Sequence, residues 1–451
     1  MTLEALGRAG SAFEPIRVLE IELSAPLPRL DRTESPSGPA YSRARALVRL
    51  HGEPLGLLDL ALPPGGLTGE DLAGLIWRDL AEEVNDHLRR DGVPPLVTLS
   101  AQGVTGVSEP RCAQERVRFL ERAPFASVIV ATRDRAPSLP TVLDALLAQE
   151  YPHYEVIVVD NAPSGGATRE LLRTRYGHDP RVRYMREDRP GLSNARNCGA
   201  RHALGEILAV TDDDARPDPR WLSEVARGFQ AGRNVGCVTG ATLAMSLDTA
   251  PELWFEQYGG FNKGFARRVY DLARQRGPSG LYPYAAGTFG SGVNCSFRKS
   301  ALLAVGGFDP SLGAGTPSMG GEDLSIFLEV LSRGYELAYE PGALVYHAHR
   351  TTYDALKRQM FGYGAGLTAY LTRTLLTRPA RLLDLLARVP NGLGYALNPR
   401  SGKNKGKNAG YPAELTRLEL RGMLYGPVAY LRSRRQARSR LSLPLTRVGT
   451  R

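Results

Sequence analysis

The chain has 451 residues, of which 42% are hydrophobic and 23% are charged, proportions that are ordinary for a folded globular protein and argue against a disordered chain. The formal net charge of +10 lies toward the C-terminus, because residues 356–451 contain 19 Lys or Arg against three acidic residues. No nucleic-acid-binding motif accompanies this charge, so we expect no nucleic-acid partner, while anionic lipid and a phosphate-bearing substrate stay open.

Residues 1–105 predict a small α+β domain. Apolar and polar residues alternate over "RVLEIELS", "RARALVRLHG" and "GLLDLAL", which is typical of strands. The segment "GEDLAGLIWRDLAEEVNDHLRRDG" has the apolar spacing of an amphipathic helix. The first residues lack a basic stretch followed by an apolar run, so we expect no signal peptide. Residues 106–124 are interpreted as a connector.

Residues 125–355 alternate strand and helix patterns. The runs "SVIVAT" and "YEVIVVD" are typical of buried strands, and between them "SLPTVLDALLAQE" predicts a helix capped by Ser138. A helix over 167–176, a strand "RVRYMR", a helix over 193–204 and a strand "EILAVTD" continue the series. Such repeated units predict an α/β fold with a mostly parallel sheet flanked by helices.

Polar residues follow the predicted strands at the point where each strand ends. They are Thr132, Arg133 and Asp134 after the first strand, Asp160 and Asn161 after the second, and Asp212, Asp213 and Asp214 after the fourth. Ligands of parallel sheets bind at the carboxyl ends of the strands, so we expect these side chains to converge on one crevice.

The three adjacent aspartates at 212–214 need a counter-charge, because neighbouring carboxylates repel one another. The chain has neither G-x-G-x-x-G after the first strand nor G-x-x-x-x-G-K-[ST], so a phosphate must be held in another way. A divalent cation bound by the aspartates would neutralise a diphosphate, and oxygen ligands suit Mg²⁺ or Mn²⁺. The alternative is an acidic turn or helix cap around Asp218.

Several segments, taken together and in their order, resemble glycosyltransferase family 2. They are "ASVIVATRDR", "YEVIVVDNAPS", "RPGLSNARNCGA", "AVTDDDARPDPRWL", "GGFDPSLGAG" and "GGEDLSIFLEVLSRGYELAYEPGALVYHAHR". The resemblance covers about residues 125–370. It implies an inverting, nucleotide-sugar-dependent enzyme with a GT-A-type sheet. The small N-terminal domain and the basic, mainly helical extension over 356–451 lie outside the family's general pattern.

The resemblance also implies roles for individual residues on the donor side. The implied nucleotide-sugar-binding residues are Thr132, Arg133, Asp134, Asp160, Asn161, Arg196, Asn197, Asp212 and Asp213. Among them, Asp160 matches the acid that contacts the nucleotide base. Asp212 and Asp214 match the outer members of the D-x-D pattern, and of the two Asp214 matches the metal ligand. The alternatives are that Asn197 caps its helix and that Arg196 pairs with Asp188.

The segment "GGEDLSIFL" places Glu322 and Asp323 in a first helical turn, where acids are often only partners of the helix dipole. An inverting transfer needs one carboxylate to accept the proton of the attacking hydroxyl. The resemblance implies this role for Asp323 and a part in placing the acceptor for Glu322. Ser325 and Glu329 depart from the family pattern, in which many relatives carry an acid and an arginine, and this leaves the charge of the acceptor pocket open.

Two further groups of residues are candidates for the same site. In "LVYHAHR", His347 is implied as a third metal ligand with His349 as second choice, and the alternative is a hydrogen-bonded core histidine. Trp254, Tyr258 and Asn294 lie in segments rich in glycine and aromatic residues, which makes them candidates for an acceptor or sugar pocket, although such residues also build cores.

The C-terminal extension has an amphipathic basic pattern, with leucines and arginines spaced along residues 371–388. This pattern favours either interfacial helices that contact anionic lipid or helices that pack on the core with a solvated basic face. The four scattered cysteines, with no C-x-x-C pair and no histidine at metal-finger spacing, favour a cytoplasmic setting. We therefore expect a cytoplasmic protein, with peripheral contact at the inner membrane face left open.

The favoured interpretation is a metal-dependent inverting glycosyltransferase of cell-envelope polysaccharide or glycolipid synthesis. It would use Mn²⁺ or Mg²⁺, a UDP-, GDP- or dTDP-type donor, and a glycan or lipid-linked acceptor. One alternative is a nucleotidyltransferase, which would need a basic triphosphate-binding loop, for which Arg133 and Arg135 are a weak match. Another is a noncatalytic carbohydrate-binding or scaffold protein.

Overall fold

The structure is a computed structural model, and it describes residues 13–36, 38–106, 109–401, 403–407 and 410–441. The strands are β1 (Ile16–Glu22), β2 (Arg43–Leu50), β3 (Glu53–Ala61), β4 (Ala126–Thr132), β5 (Tyr154–Asn161), β6 (Val182–Glu187), β7 (Ile207–Asp212), β8 (Ala215–Pro217), β9 (Val235–Ala244), β10 (Arg268–Tyr270), β11 (Cys295–Arg298) and β12 (Glu336–His347). The expected absence of a signal peptide concerns residues that lie outside the described part of the chain.

The helices belong to both domains and to the C-terminal extension. They are α1 (Gly69–Arg90), α2 (Arg111–Leu120), α3 (Leu139–Leu147), α4 (Ala167–Leu171), α5 (Leu192–His202), α6 (Trp221–Gly228), α7 (Ala250–Tyr258), α8 (Lys299–Ala304), α9 (Glu322–Ser332), α10 (Tyr353–Thr377), α11 (Leu382–Leu397) and α12 (Ala413–Leu441). Among the described helices, none is both long enough and apolar enough to cross a membrane.

The N-terminal region forms its own small layer of sheet and helix. Strand β2 lies between β1, to which it is parallel, and β3, to which it is antiparallel. Helix α1 begins at a capping box, in which the side chains of Thr68 and Asp71 each accept a hydrogen bond from the backbone amide of the other residue. Its buried face, including Leu72, Ile76 and Val84, packs in one core with the strands. The α+β character predicted from the alternating patterns is therefore present.

The large sheet has nine strands in the order β10-β12-β9-β11-β7-β4-β5-β6, with β8 paired to β12. Strands β6, β5, β4 and β7 are parallel neighbours, as predicted, whereas β11 runs antiparallel between β7 and β9. All residues of β4 and β5 are buried, because helices and loops cover both faces. The α/β fold class predicted from the sequence is confirmed, and its parallel half brings the ends of β4, β5 and β7 together.

Helix α3, between β4 and β5, differs in detail from its sequence prediction. Ser138 stands at the N-cap position but makes no capping hydrogen bond to a helix amide. The predicted N-cap position is therefore confirmed, but the Ser138 hydroxyl donates to the backbone oxygen of Arg135 over 3.0 Å instead of accepting from the helix. This bond fastens the loop that follows β4, a loop that also carries Arg135 into the site.

The long helices of the C-terminal extension differ in how far they are buried. Helix α12 packs closely on α10, and a Cβ at Gly364 or Gly422 would collide with the backbone of the facing helix. Helix α11, in contrast, has no buried residue and exposes Leu383 and Leu386. One part of the extension is therefore built into the core and another presents apolar side chains to the outside.

Candidate functional site

The acidic strand ends meet as the parallel register requires. Thr132 of β4 is aligned with Asp160 of β5, and Ala131 is aligned with Asp212 of β7. Beyond β7 the chain returns as β8, which pairs with β12 so that Ala215 faces His347. The short return strand thus brings the histidine beside the aspartates although 133 positions separate it from Asp214.

Asp213 is held by the loop after β4. Thr132 Oγ1 donates a hydrogen bond to Asp213 Oδ2 over 2.7 Å, and Arg135 Nη1 donates to Asp213 Oδ1 over 2.7 Å. Burial raises the pKa of Asp213 to about 6, although the nearby Arg135 guanidinium acts in the opposite direction. Both carboxylate oxygens are therefore engaged by the loop that follows β4.

Asp214 faces a histidine and two arginines. Its Oδ1 atom lies 3.3 Å from His347 Nε2, and its Oδ2 atom lies 3.0 Å from Arg135 Nη1 and 3.5 Å from Arg350 Nη1. Burial would raise the pKa of Asp214, but these neighbours outweigh it and hold the pKa well below the usual range. Asp214 is therefore ionised across the neutral range.

The side chains of Asp212, Asp214 and His347 could hold a cation. Each offers one ligand atom, and these atoms lie within 4.8 Å of one another. Two carboxylates and an imidazole nitrogen are a donor set that fits Mn²⁺, and the carboxylates fit Mg²⁺ as well. Arg135 and Arg350 lie beside the same carboxylate and supply positive charge where a diphosphate would approach.

His349 does not face the aspartates directly. Its Nε2 atom lies 3.0 Å from Glu256 Oε1, and Glu256 Oε2 accepts from Arg45 Nη1 over 3.0 Å. The rings of His347 and His349 meet only through their Nδ1 atoms, 3.4 Å apart. His349 is thus a hydrogen-bonded core residue here. Glu256 and Arg45, which connect it to the N-terminal domain, carry no sequence signal that would have identified them.

Asp323 is fixed at the start of α9 by two backbone amides. Gly292 N–H donates to its Oδ2 atom over 3.0 Å, and Leu324 N–H donates to its Oδ1 atom over 2.8 Å. Burial raises the pKa of Asp323, and burial together with the Asp323 charge raises the pKa of Glu322 to about 7. The pair therefore titrates closer to neutrality than ordinary carboxyl groups do.

A buried arginine joins this pair to the aspartate cluster. Arg196 Nη2 donates to Asp212 Oδ1 over 2.9 Å and to the Gly292 backbone oxygen over 2.9 Å, and its Nη1 atom lies 3.3 Å from Glu322 Oε1. Despite its burial, these carboxylates raise the pKa of Arg196. The predicted alternative partner, Asp188, pairs with Arg186 instead, so that alternative is wrong.

Asp160 has an unused acceptor at the end of β5. Its Oδ2 atom accepts from the Tyr184 hydroxyl over 3.1 Å, whereas its buried Oδ1 atom has no hydrogen-bond partner among the described residues. Burial raises the pKa of this carboxyl group. A buried acceptor without a donor costs free energy of about 1–3 kcal/mol, which a ligand N–H would recover.

Other residues predicted for the donor site hold loops. Asn161 Nδ2 donates to the Arg189 backbone oxygen over 2.8 Å, and its Oδ1 atom accepts from Gly191 N–H over 2.9 Å. Asn197 makes a paired contact with the backbone of Phe308, at 2.7 and 2.9 Å, so it does not cap its helix.

The loop after β4 carries the last two donor-side candidates to the rim of the site. Arg133 is about half exposed, with its Nε atom 3.8 Å from Asp134 Oδ2. Asp134 Oδ1 accepts from the backbone amide and hydroxyl of Ser164. These contacts tie the loop after β4 to the loop after β5 and leave the Arg133 guanidinium free to meet a ligand at the edge.

The three acceptor-pocket candidates lie in packed positions. Asn294 is buried and uses its whole amide in the core, accepting from Trp221 Nε1 and donating to two backbone oxygens, which corrects its assignment to a pocket. Tyr258 donates to Glu419 of α12 over 2.8 Å, and Trp254 lies edge-on to Tyr353, with ring centroids 5.5 Å apart. Both aromatics fasten α7 to the C-terminal extension.

Glu329, which departs from the family pattern, forms ion pairs in this structure. Glu329 pairs with Arg373 and Arg378 of the C-terminal extension, and Arg373 also contacts Asp309 over 2.8 Å. Ser325, two residues after Asp323, is buried in α9. Glu329, which stands where many relatives carry an arginine, is therefore neutralised by Arg373 of α10 and by Arg378, which directly follows that helix.

Comparison with known proteins identifies one family model. The model described as "Glycosyl transferase family 2" matches residues 127–302, which include the strand-end residues and Arg196. The matched range ends before Glu322, Asp323 and His347. The motif order predicted this family from the sequence, and the match supports that prediction over residues 127–302.

Individual relatives cover different parts of the chain. A glucosyl-dolichyl phosphate glucuronosyltransferase of Haloferax volcanii is 25% identical over 252 residues, which are 53% of this chain and 74% of that protein. The O-antigen biosynthesis protein RfbC of Myxococcus xanthus is 35% identical over 160 residues, which are 34% of this chain and 12% of that protein. Among solved structures, the mannosyltransferase PcManGT of Pyrobaculum calidifontis, in complex with GDP-Man and Mn²⁺, is 19% identical with a TM-score of 0.41, covering 74% of this chain and 82% of that one.

Proposed function

Because residues 127–302 match glycosyltransferase family 2, we propose that this chain transfers a sugar from a nucleotide-diphosphate donor to an acceptor hydroxyl with inversion at the anomeric carbon. One observation carries the proposal: the buried Arg196 guanidinium contacts both Asp212, in the donor cluster, and Glu322, beside Asp323. The donor side and the carboxylate pair therefore belong to one network, as a single displacement reaction requires.

On the donor side, the chain offers separate groups to the base and the diphosphate. Asp160 Oδ1 accepts an N–H of the nucleotide base, since it has no hydrogen-bond partner among the described residues. Asp212, Asp214 and His347 hold Mn²⁺ or Mg²⁺. A divalent cation supplies positive charge to the diphosphate and so stabilises the leaving group. Arg135 and Arg350, both close to Asp214, add to this charge from the protein itself.

On the acceptor side, Asp323 takes the proton of the attacking hydroxyl. The new bond joins the acceptor oxygen to the anomeric carbon while the bond from that carbon to the diphosphate breaks. The amides of Gly292 and Leu324 fix the carboxylate, and burial raises its pKa, which makes it a stronger base than an exposed aspartate. Glu322, with a pKa of about 7, binds the acceptor beside it.

The acceptor is proposed to be a lipid-linked glycan of the cell envelope. The names of two relatives support this, since one acts on glucosyl-dolichyl phosphate and the other serves O-antigen biosynthesis. Helix α11 supports it independently, because Leu383 is 78% exposed and Leu386 and Leu393 are each 55% exposed. Basic residues on both sides of these leucines would attract an anionic bilayer surface.

A transfer assay tests the function. The purified chain with Mn²⁺ is offered UDP-, GDP- and dTDP-sugars together with lipid-linked sugar acceptors, and release of the nucleoside diphosphate is measured. We expect one donor class to be consumed in an acceptor-dependent way by the native chain and by Asp354→Asn, a control at an exposed first-turn aspartate of α10. Asp323→Asn should lower the turnover by about 10²–10⁴-fold. Consumption at the native rate in Asp323→Asn would contradict the assigned base.

A vesicle assay tests the membrane contact. We expect the chain to sediment with vesicles of anionic phospholipid and to lose this binding in Leu383→Asn/Leu386→Asn. Leu204→Asn, at a leucine that is 71% exposed on another part of the surface, should leave binding unchanged. Equal binding of all three proteins would place the lipid contact elsewhere or reduce it to charge alone.

A further inference from the structure

A second group of metal-ligand side chains lies in the N-terminal domain and its connector. It comprises His51, in the turn between β2 and β3, His87 and Asp91, at the end of α1, and Cys112, at the start of α2. Each residue offers one ligand atom, and the four atoms lie within 4.8 Å of one another. Three separate segments of the chain thus converge on one point.

The spacing of the four atoms approximates a tetrahedron. His51 Nδ1 lies 2.7 Å from Asp91 Oδ2 and 3.0 Å from His87 Nε2, and His87 Nε2 lies 3.1 Å from Asp91 Oδ2. Cys112 Sγ lies 3.2 Å from Asp91 Oδ2 and 3.8 Å from His87 Nε2. Around a zinc ion with bonds of about 2.0 Å to nitrogen and oxygen and about 2.3 Å to sulfur, neighbouring ligands lie about 3.3–3.6 Å apart. Small side-chain shifts would bring the four atoms to that geometry.

The cluster is closed to solvent. The side chains of His51, His87 and Asp91 are 4%, 1% and 2% exposed, and Cys112 is buried as well. Structural zinc sites have four protein ligands and no open position, whereas catalytic sites keep one position for water or substrate. Four buried ligands of this type therefore fit a structural ion rather than a reaction centre.

Outer contacts orient the ligand atoms toward one another. The other ring nitrogen of His87, Nδ1, lies 3.4 Å from Glu53 Oε2, with Arg90 at a similar distance. The second oxygen of Asp91 accepts from the backbone amide of Cys112 over 2.9 Å. Carboxylates and amides in this position fix the orientation of metal-bound histidines and carboxylates.

The backbone at His51 gives independent support. His51 has a φ of 53°, in the left-handed region that non-glycine residues seldom adopt, and Gly52 follows with a φ of 78°. Glycine or asparagine would meet this turn with less strain. The imidazole ring points toward Asp91 and His87, so the strained backbone places a ligand atom of His51 in the cluster.

We propose that His51, His87, Asp91 and Cys112 bind one structural Zn²⁺ that joins the β2–β3 turn, the end of α1 and the connector helix α2. A thiolate with imidazole ligands selects zinc over magnesium or manganese. The proposed zinc site thus differs chemically from the candidate cation site formed by Asp212, Asp214 and His347.

The site would also fix how the connector meets the catalytic domain. Four residues after Cys112 on α2, Arg116 pairs with Glu224 of α6 over 2.9 Å, and both side chains are buried. Glu224 also accepts from Arg227 of the same helix. Because residues four apart lie on one face of a helix, an ion at Cys112 would hold the same face of α2 that contacts the catalytic domain through Arg116, and its loss should loosen the N-terminal domain first.

Metal analysis of the whole chain tests the proposal. The protein is purified without a metal-affinity tag and without chelator, supplied with Zn²⁺, freed of excess metal and analysed by mass spectrometry of the elements. We expect one zinc per chain in the native protein, in Cys198→Ser and in Asp214→Ala, and little zinc in Cys112→Ser and Asp91→Asn. Cys198 is a matched buried cysteine outside the cluster, and Asp214 belongs to the donor cluster.

Cobalt spectroscopy on the native chain gives a readout that does not depend on a folded variant. Co²⁺ in the proposed site should show the intense visible bands of tetrahedral coordination and the near-ultraviolet absorption of a cobalt–thiolate bond. A native chain that retains neither zinc nor cobalt would overturn the proposal and leave a hydrogen-bonded histidine–aspartate cluster. Zinc retained equally by Cys112→Ser and Asp91→Asn would overturn it too.

Discussion

The buried guanidinium of Arg196 donates a hydrogen bond to the Asp212 carboxylate over 2.9 Å, and the same side chain reaches Glu322. Asp212 stands at the end of β7 and Glu322 at the start of α9, 110 residues later. One positive charge is thus shared by the two acidic groups to which the proposed mechanism assigns different tasks.

Removal of this charge should affect both stability and activity. Arg196→Met leaves buried carboxylates without their counter-charge, and breaking a buried pair costs about 3–5 kcal/mol of the free energy of unfolding. Arg196→Lys keeps the charge but not the forked geometry, so it should recover much of the stability and little of the turnover. Urea unfolding and transfer rates are measured for both variants. Arg186→Met, in an exposed pair with Asp188, is the control, and an equal loss in that variant would contradict the account.

Asp323→Asn should separate chemistry from binding. An amide cannot accept the hydroxyl proton, so we expect kcat to fall by about 10²–10⁴-fold, the range for a lost general base. The dissociation constant for the nucleoside diphosphate with Mn²⁺ should stay unchanged, because Asp323 contacts Gly292 and Leu324 rather than the donor cluster. Single-turnover kinetics and calorimetry provide the two numbers. A fall in donor affinity that explains the whole loss would refute the role of a base.

Asp160→Asn should weaken recognition of the nucleotide base. The substitution exchanges a charged acceptor for a neutral amide next to the unpartnered Oδ1 position. A hydrogen bond to a charged group contributes about 1.5–3 kcal/mol, so nucleotide affinity should fall by about 10–150-fold. Inorganic pyrophosphate lacks a base and should bind the variant as well as it binds the native chain. Parallel losses for nucleotide and pyrophosphate would place Asp160 at the phosphates instead.

The acid side of the pH–rate profile should lie above the ordinary carboxyl range of about 4. Burial raises the pKa of Asp323, and the pKa of its neighbour Glu322 is raised to about 7. A raised carboxyl pKa means that the base ionises only as pH rises, so kcat/KM should increase with pH toward neutrality. In Glu322→Gln the group whose pKa is raised to about 7 is gone, so the part of the rise near neutrality should be lost and the remaining rise should lie at lower pH. A profile that is unchanged in this variant would show that the two groups do not titrate together.

The convergence of the strand-end residues could be predicted because they follow parallel strands of one sheet. Once β4, β5 and β7 are parallel neighbours, Thr132, Asp160 and Asp212 must end at one edge. The three aspartates also carried a physical signal in their mutual repulsion. His347 could be placed only by the order of motifs, since its approach to Asp214 depends on the pairing of β8 with β12.

Contacts between residues that are far apart in the sequence could not be predicted from local sequence patterns. Arg196 was assigned to nearby Asp188 as an alternative, whereas its partners are Asp212 and Glu322, which only the folded sheet brings within reach. Asn294 lies in a glycine-rich segment typical of pockets but supports the core at Trp221.

The cysteine spacing did not reveal the cluster at Cys112 for a related reason. Cys112 has no histidine at short spacing in the sequence, yet His51 and His87 converge on it from 61 and 25 positions away. A spacing rule tests ligands that are close in sequence, whereas this cluster is assembled by the packing of a turn, a helix end and the connector.

The most direct test of the account is calorimetric titration of the native chain and Asp214→Ala with UDP, GDP and dTDP, each with Mn²⁺ and with EDTA. Asp188→Ala, at an exposed aspartate outside the cluster, is the control. The account predicts that one nucleotide binds the native chain and the control only with Mn²⁺, and that Asp214→Ala loses this binding. Nucleotide binding that survives both EDTA and Asp214→Ala, or no binding of any of the three nucleotides, would contradict it.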